Sequence, residues 1–302
     1  MRFRGIDLNL LVALDILLQE ENVSRAADRM HVGQSAMSAA LSRLRTHFDD
    51  ELLTVVGRRM VPTSLAETLR QPLREAILQI ETVIEIERTF DPLVASRSFT
   101  VEIPDHLVPV ILPRLIRQLA VTGPHIRLEV RTPVGDPSPL LHKGEIDLVV
   151  TPSIYSDPGY VTEPLIHNDL VLTGWSENPA LKTQPDLQTV MSLNQVIVKF
   201  DRVRLASFLS SDQLALYGAA GRTALIAPSF SSIPPTLVGT QLIAVLNRRL
   251  VHAMVQVLPL AVWNVPLEMP SMSDVIMYHP MRRHDQGLVW LRDQMRDALA
   301  GL

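Results

Sequence analysis

The chain has 302 residues, room for two or three domains, and 47% of them are hydrophobic, enough for a sizeable core. Aromatics are only 5%, so that core is aliphatic, and no run approaches the roughly 18 apolar residues of a membrane-spanning helix. Cysteine is absent, which excludes disulfides and thiolate metal sites, and a net charge of -4 does not advertise nucleic-acid binding, so any case for DNA rests on placement.

The first residues carry early arginines and an apolar stretch, but Asp7, Asn9 and Asp15 interrupt it and no small-residue cleavage site follows. This reads as a helix rather than a signal peptide, and a cytoplasmic location is expected. Asp7 can cap a helix from Leu8 to about Glu20, with Leu8, Leu11, Leu14 and Leu18 on one stripe. Ser24 is the expected cap of a short helix, Arg25 to Met30. His31, Val32 and Gly33 make a turn into a third helix, Gln34 to about Phe48.

On a helical wheel, Met37, Ala40, Leu41, Leu44 and Phe48 of that third helix fall inward. Ser35, Ser38, Ala39, Ser42 and Thr46 fall on the opposite side, flanked by Gln34, Arg45 and Arg43. Small hydroxyl residues let a helix lie deep in a major groove. Gln34 can pair with adenine, Ala39 can touch a thymine methyl, and the arginines can hold phosphate or guanine. Two short strands, Leu52 to Val56 and Met60 to Thr63, surround Gly57, Arg58 and Arg59. They form a wing that can lay arginine on a phosphate or in a minor groove.

A long helix follows from Leu65 to about Arg88, with Ser64 as its expected cap and Pro72 early in it. Leu69, Leu73, Ile77, Ile80 and Ile84 give it an apolar side that needs a partner. The candidates are the same helix of a second subunit or the chain's own C-terminal domain. Residues 89–98 have no clear period and read as a hinge.

From Phe99 the pattern changes to strands alternating with helices: Phe99 to Ile103, Val108 to Ala120, Ile126 to Val130, a helix ending at Gly144, and Ile146 to Val150. This order implies a parallel sheet, with ligands beyond the carboxyl ends of its strands. A second lobe is expected from about 164 to 263, with strands near Leu170, Gln195, Ala224 and Leu242. The chain then returns to the first lobe, 99–163 and 264–302, and ends in a helix from Leu288 to Leu299.

The segments DLNLLVALDILLQEENVSRAADRMHVGQSAMSAALSRLRTHFDDELL and GRRMVPTSLAE resemble the winged helix-turn-helix of the LysR-type transcriptional regulators. Residues 1–63 would be the DNA-binding domain, 64–88 a dimerisation helix, and 99–302 an α/β, two-lobed effector domain like a periplasmic binding protein. LLHKGEIDLVV resembles a pattern common in that domain. Gln34, Ser35, Ser38, Arg43, Arg58 and Arg59 match positions that such regulators use at DNA, with Ser35 where the family usually has proline. The resemblance also implies a homodimer or homotetramer on promoter DNA, in contact with RNA polymerase and with no membrane partner.

MRFRGIDLNLLVALDILLQEEN, SFSSIPPTLVGTQLIAVL and HDQGLVWLRDQM are similar to the branch holding the nodulation regulator NodD and regulators of aromatic degradation. That branch implies a small aromatic effector and no other cofactor: a phenolic or chloroaromatic for a catabolic operon, or a flavonoid for nodulation-type genes. The candidate effector residues are Asp105 and His106 in the loop after the first strand, then His167, Asn168, Lys199, Phe200, Phe230, Ser231 and Pro234. Pro104 stands where the family usually has serine or threonine. His106 and Lys199 can pair with a phenolate or carboxylate, while Phe200 and Phe230 can stack on a ring.

Other classes lack support in the residues. The nearest histidine pair, His279 and His284, is not at one-turn separation for a metal. No phosphate loop or nucleophile elbow is present. A two-lobed small-molecule-binding protein without a regulatory role would not begin with a helix-turn-helix.

Overall fold

The computed structural model describes residues 2–3, 6–57, 59–86, 90–198, 222–269 and 272–300. The chain forms two compact units, Met1–Thr89 and Phe90–Leu302.

The first unit opens with a small antiparallel pair absent from the sequence reading, β1 (Arg2–Phe3) and β2 (Ile6–Asp7). Helix α1 (Leu8–Glu20) follows, capped by the Asp7 carboxylate accepting from the Asn9 amide at 2.9 Å. Helix α2 (Val23–Arg29) is capped by Asn22, not Ser24. The Asn22 Oδ1 accepts from both the Ser24 and Arg25 amides, which a serine two residues later cannot do. Helix α3 spans Gln34–Phe48 and buries Met37, Leu41 and Leu44. These meet Leu14, Leu17 and Leu18 of α1 and Ala26 and Ala27 of α2 in one core. Leu14 and Leu17 have no exposed surface, and each contributes on the order of 2 kcal/mol by burial. Strands β3 (Leu53–Val56) and β4 (Arg59–Pro62) make an antiparallel hairpin. Its tip needs Gly57, which sits at φ +65°.

Helix α4 runs Ser64–Ile86. Its cap is Thr63, whose hydroxyl accepts from the Ala66 amide at 3.2 Å, one residue before the expected Ser64. Its apolar side also needs correction. Leu73 and Ile77 are buried in the core of their own unit, and Leu69 packs against the same core. The reason lies in α1, against which α4 packs in the same core. The Arg70 guanidinium donates to the Leu18 carbonyl at 2.6 Å, and Arg74 is ion-paired with Asp15 at 3.1 Å. Ile80 is half-buried, and the Ile84 side chain lies outside the described residues.

The second unit holds two five-stranded sheets. The first has the order β6 (Arg127–Arg131), β5 (Ser98–Glu102), β7 (Leu148–Pro152), β14 (Met272–Tyr278), β8 (Val161–Asn168). Strands β5, β6 and β7 are parallel, and β14 runs antiparallel to β7 and β8. Helices α5 (Val108–Thr122) and Gln286–Leu299 cover one face over Phe99, Val101, Leu148, Ile276 and Tyr278. The second sheet has the order β11 (Arg222–Ala227), β10 (Asn194–Val198), β12 (Ile243–Asn247), β9 (Leu170–Trp175), β13 (Leu260–Asn264). Both sheets are therefore mixed.

Strand β8 moves the expected lobe boundary. The first lobe continues to Asn168 rather than ending at residue 163, and the chain crosses over before Leu170. Pro164 hid this strand, but β8 is an edge strand and Pro164 sits beside a register shift between Asp274 and Val275. Edges and bulges are where a sheet tolerates proline.

The expected hinge also needs correction over its described part. Phe90 packs against Trp290, with ring centroids 5.5 Å apart. Arg97 donates to Asp285 at 2.7 Å. Gly287 permits this docking, because a Cβ there would lie 2.5 Å from the Arg97 guanidinium.

Candidate DNA interface and effector cavity

The outer face of α3 is built by its inner one. With Met37, Leu41 and Leu44 fixed in the core, Gln34, Ser35, Ser38, Ala39, Ser42 and Arg43 are all exposed. The face is narrow, small and polar, as a groove-reading helix requires. Arg43 and Arg59 are exposed cations without an ion pair among the described residues. Arg25 and Arg29, in contrast, are spent on Glu20. Arg58 lies outside the described residues.

Arg45 does not join this face. Its Nε donates to the Glu51 carbonyl at 2.8 Å, its Nη2 donates to the Leu53 carbonyl at 2.7 Å, and it pairs with the Glu51 carboxylate at 3.1 Å. It braces the loop between helix and wing, where Asp49 and Leu52 both take positive φ and leave carbonyls to be satisfied. Asp50 completes the brace by accepting from the Leu52 amide and the Thr63 hydroxyl, each at 2.6 Å. The signal for this was an aspartate three residues before a strand, a turn-forming position.

In the second unit, a cavity of about 750 Å³ opens over the carboxyl ends of β5, β6 and β7. Pro104 and Asp105 contribute from the loop after β5, Thr132 and Ser138 from that after β6, and Thr151 and Tyr155 from β7 and beyond. The charged side chains in its described lining are Asp105, Asp136 and Asp157. Sequence reasoning missed the second and third loops. Their signal was proline, glycine and aspartate clustered directly after strands, in PVGDPSP and SIYSDPG.

Of the expected effector residues, Asp105 lines this cavity. The structure gathers His106, Asn168, Phe230 and Ser231 at the junction of the two lobes instead. His106 is buried, with Nε2 3.3 Å from the Asp274 carboxylate, which also accepts from the Asn168 amide nitrogen. The His106 ring meets Phe230 edge-on at 5.7 Å. The Ser231 amide donates to Asp105 at 2.7 Å. Phe230 packs, half-buried, against the aliphatic core of the second lobe, and Pro234 is buried in its short helix. His167 is exposed on β8, with Nδ1 2.7 Å from the Ser273 hydroxyl. Lys199 and Phe200 lie outside the described residues.

An ionic network ties the start of the domain to its end. Burial pushes the Asp147 carboxyl up, even with Arg282 beside it at 2.5 Å. Burial also raises Asp285, but the Arg97 guanidinium outweighs it and holds that carboxyl below its ordinary range.

The chain matches two family models: the bacterial regulatory helix-turn-helix protein of the lysR family over residues 8–67, and the LysR substrate binding domain over residues 94–300. It is 35% identical to nodulation protein D 2 of Sinorhizobium fredii over 292 residues, 97% of this chain and 93% of that protein. It is 36% identical to nodulation protein D 1 of a Bradyrhizobium species, with the same coverage. Among solved structures, full-length OxyR from Pseudomonas aeruginosa shares the fold, with a TM-score of 0.72 at 17% identity over 96% of this chain and 95% of that one. CbnR in complex with its target DNA does so with a TM-score of 0.52 at 13% identity, over 97% and 100%. The chain belongs to the LysR family of bacterial transcriptional regulators.

Proposed function

We propose that this protein is a NodD-like regulator that activates nodulation-type genes in response to a small phenolic of the flavonoid class. The observation that carries this reading is the similarity to nodulation proteins D along 97% of the chain, effector domain included. A cavity of about 750 Å³ supports it, because that volume lies within the range of sites for small organic ligands and has room for more than one ring. Its first expectation, an operon of aromatic catabolism, loses ground because these relatives bear nodulation names.

The protein acts on promoter DNA in the cytoplasm as a homodimer or homotetramer and recruits RNA polymerase. Gln34, Ser38, Ala39, Ser42 and Arg43 read the major groove, and Arg59 holds the backbone beside it. Pairing of subunits falls to α4 from Ile80 onward, since its first half is occupied by its own unit. An effector shifts the regulator between two arrangements only through a difference in its affinity for them.

A reporter gene behind the region upstream of this gene tests the reading. Flavonoids should raise expression only when the protein is present. Induction by chlorophenols or hydroxybenzoates alone would return the assignment to aromatic catabolism.

A further inference from the structure

The outward face of the wing sets apolar side chains beside a cation. The register of β3 and β4 places Val56 opposite Arg59 and Thr54 opposite Val61. Residues two apart on a strand share a face, so these four lie together. The other face turns inward at its base, where Leu53 is fully buried and Met60 packs against the core of the unit. On the outward face, Val56 is 63% exposed at the last pair before the tip, and Val61 is 39% exposed. Val55, at the tip end of the other face, is 71% exposed as well. Clustered exposed apolar side chains mark a contact surface, as scattered single ones do not. Arg45 ties this hairpin to α3 by donating to the Leu53 carbonyl at 2.7 Å, so the wing goes where the reading helix goes.

We propose that Val56 and Val61 rest on deoxyribose rings of the DNA backbone, next to the phosphate that Arg59 holds. This rests on the reading of the wing as part of the DNA interface. Side chains directly opposite across a hairpin have Cβ atoms about 5 Å apart, so the Val56 methyls and the Arg59 guanidinium meet neighbouring groups of one partner. A duplex strand alternates a charged phosphate with the C–H face of a sugar, and this pair offers a cation for the first and methyl groups for the second. Sugar contacts carry no sequence information. Apolar burial releases no condensed counterions. The valines therefore add affinity for every duplex and leave its salt dependence unchanged, while Arg59 contributes to both.

The test is an anisotropy titration of the full-length protein over a series of salt concentrations. The probes are its own upstream DNA and a duplex of equal length and composition in scrambled order. Val56→Thr keeps the size and the β-branch and exchanges a methyl for a hydroxyl. It should weaken binding to both duplexes by the same factor, about fivefold, with the slope of log affinity against log salt unchanged. Arg59→Met should instead reduce that slope by about 1 for each subunit bound. Should Val56→Thr fail to fold, Val61→Thr gives the same readout. Unchanged affinity for both duplexes overturns the assignment and turns this face toward a protein. Loss confined to the upstream DNA overturns it in favour of a base contact, and a reduced slope in Val56→Thr in favour of action through Arg59. Binding of neither duplex by the wild type contradicts the DNA reading itself, and this inference with it.

Discussion

Arg74 of α4 and Asp15 of α1 form a mostly buried ion pair, Nη1 to Oδ2 at 3.1 Å, with 13% and 6% of their side chains exposed. Gln19 donates a second hydrogen bond to the same carboxylate at 2.9 Å. The start of the long helix is thus anchored to the helix-turn-helix by charge as well as by Leu73 and Ile77. Removing one partner of a buried pair leaves the other charge unpaired, a loss of about 3 kcal/mol. Asp15→Ala should lower the melting temperature of the N-terminal unit, measured by circular dichroism on residues 1–89, whereas Gln79→Ala, at an exposed position on the same helix, should not.

The same packing makes a prediction about assembly. Leu73→Ala should cost roughly 2–5 kcal/mol in stability while leaving the oligomeric state of the folded fraction unchanged in sedimentation. Ile80→Glu should dissociate subunits instead. Dissociation by Leu73→Ala without a stability loss would reverse this assignment.

Arg43 and Arg45 separate contact from support. Arg43→Ala should weaken binding to all DNA sequences and reduce the salt slope of the affinity by about 1 if the side chain holds a phosphate. Arg45→Ala should loosen the wing and show as a lower melting temperature. Ser38→Glu puts charge on the groove-facing side and should abolish binding to the operator with the fold intact, as read by mobility shift.

Acid should act through Asp285. Its folded carboxyl is held below the ordinary aspartate value by Arg97 against the cost of burial. The stability it supplies is present above the unfolded value of 3.8 and is lost as pH falls through the lower folded value. Arg97→Met should therefore cost stability at pH 7 and flatten the acid limb of the stability curve. An acid limb unchanged from wild type in urea titrations across pH 2–6 would remove Asp285 from this role.

Much of the DNA-binding unit was legible because its signals are local. The Asp7 cap and the two faces of α3 follow from spacing, and Gly57 marks the wing tip. Arg45 was misplaced because a wheel shows where a side chain starts and not what it can reach; the Leu53 carbonyl lies eight residues away in sequence. The effector site was harder still. Asp274 and His106 are 168 residues apart, and nothing in either segment announces the other. Asn168 and Phe230 look like ligand residues by type, and at the lobe junction they have protein partners in Asp274 and His106.

Hydroxyl-radical footprinting of the full-length protein on its own upstream DNA, with and without the flavonoid luteolin, tests the central claim most directly. A protected region with two half-sites on one face of the helix, whose boundaries change when the flavonoid is added, is the predicted result. Protection that is absent, or that no phenolic compound alters, would contradict an effector-switched regulator.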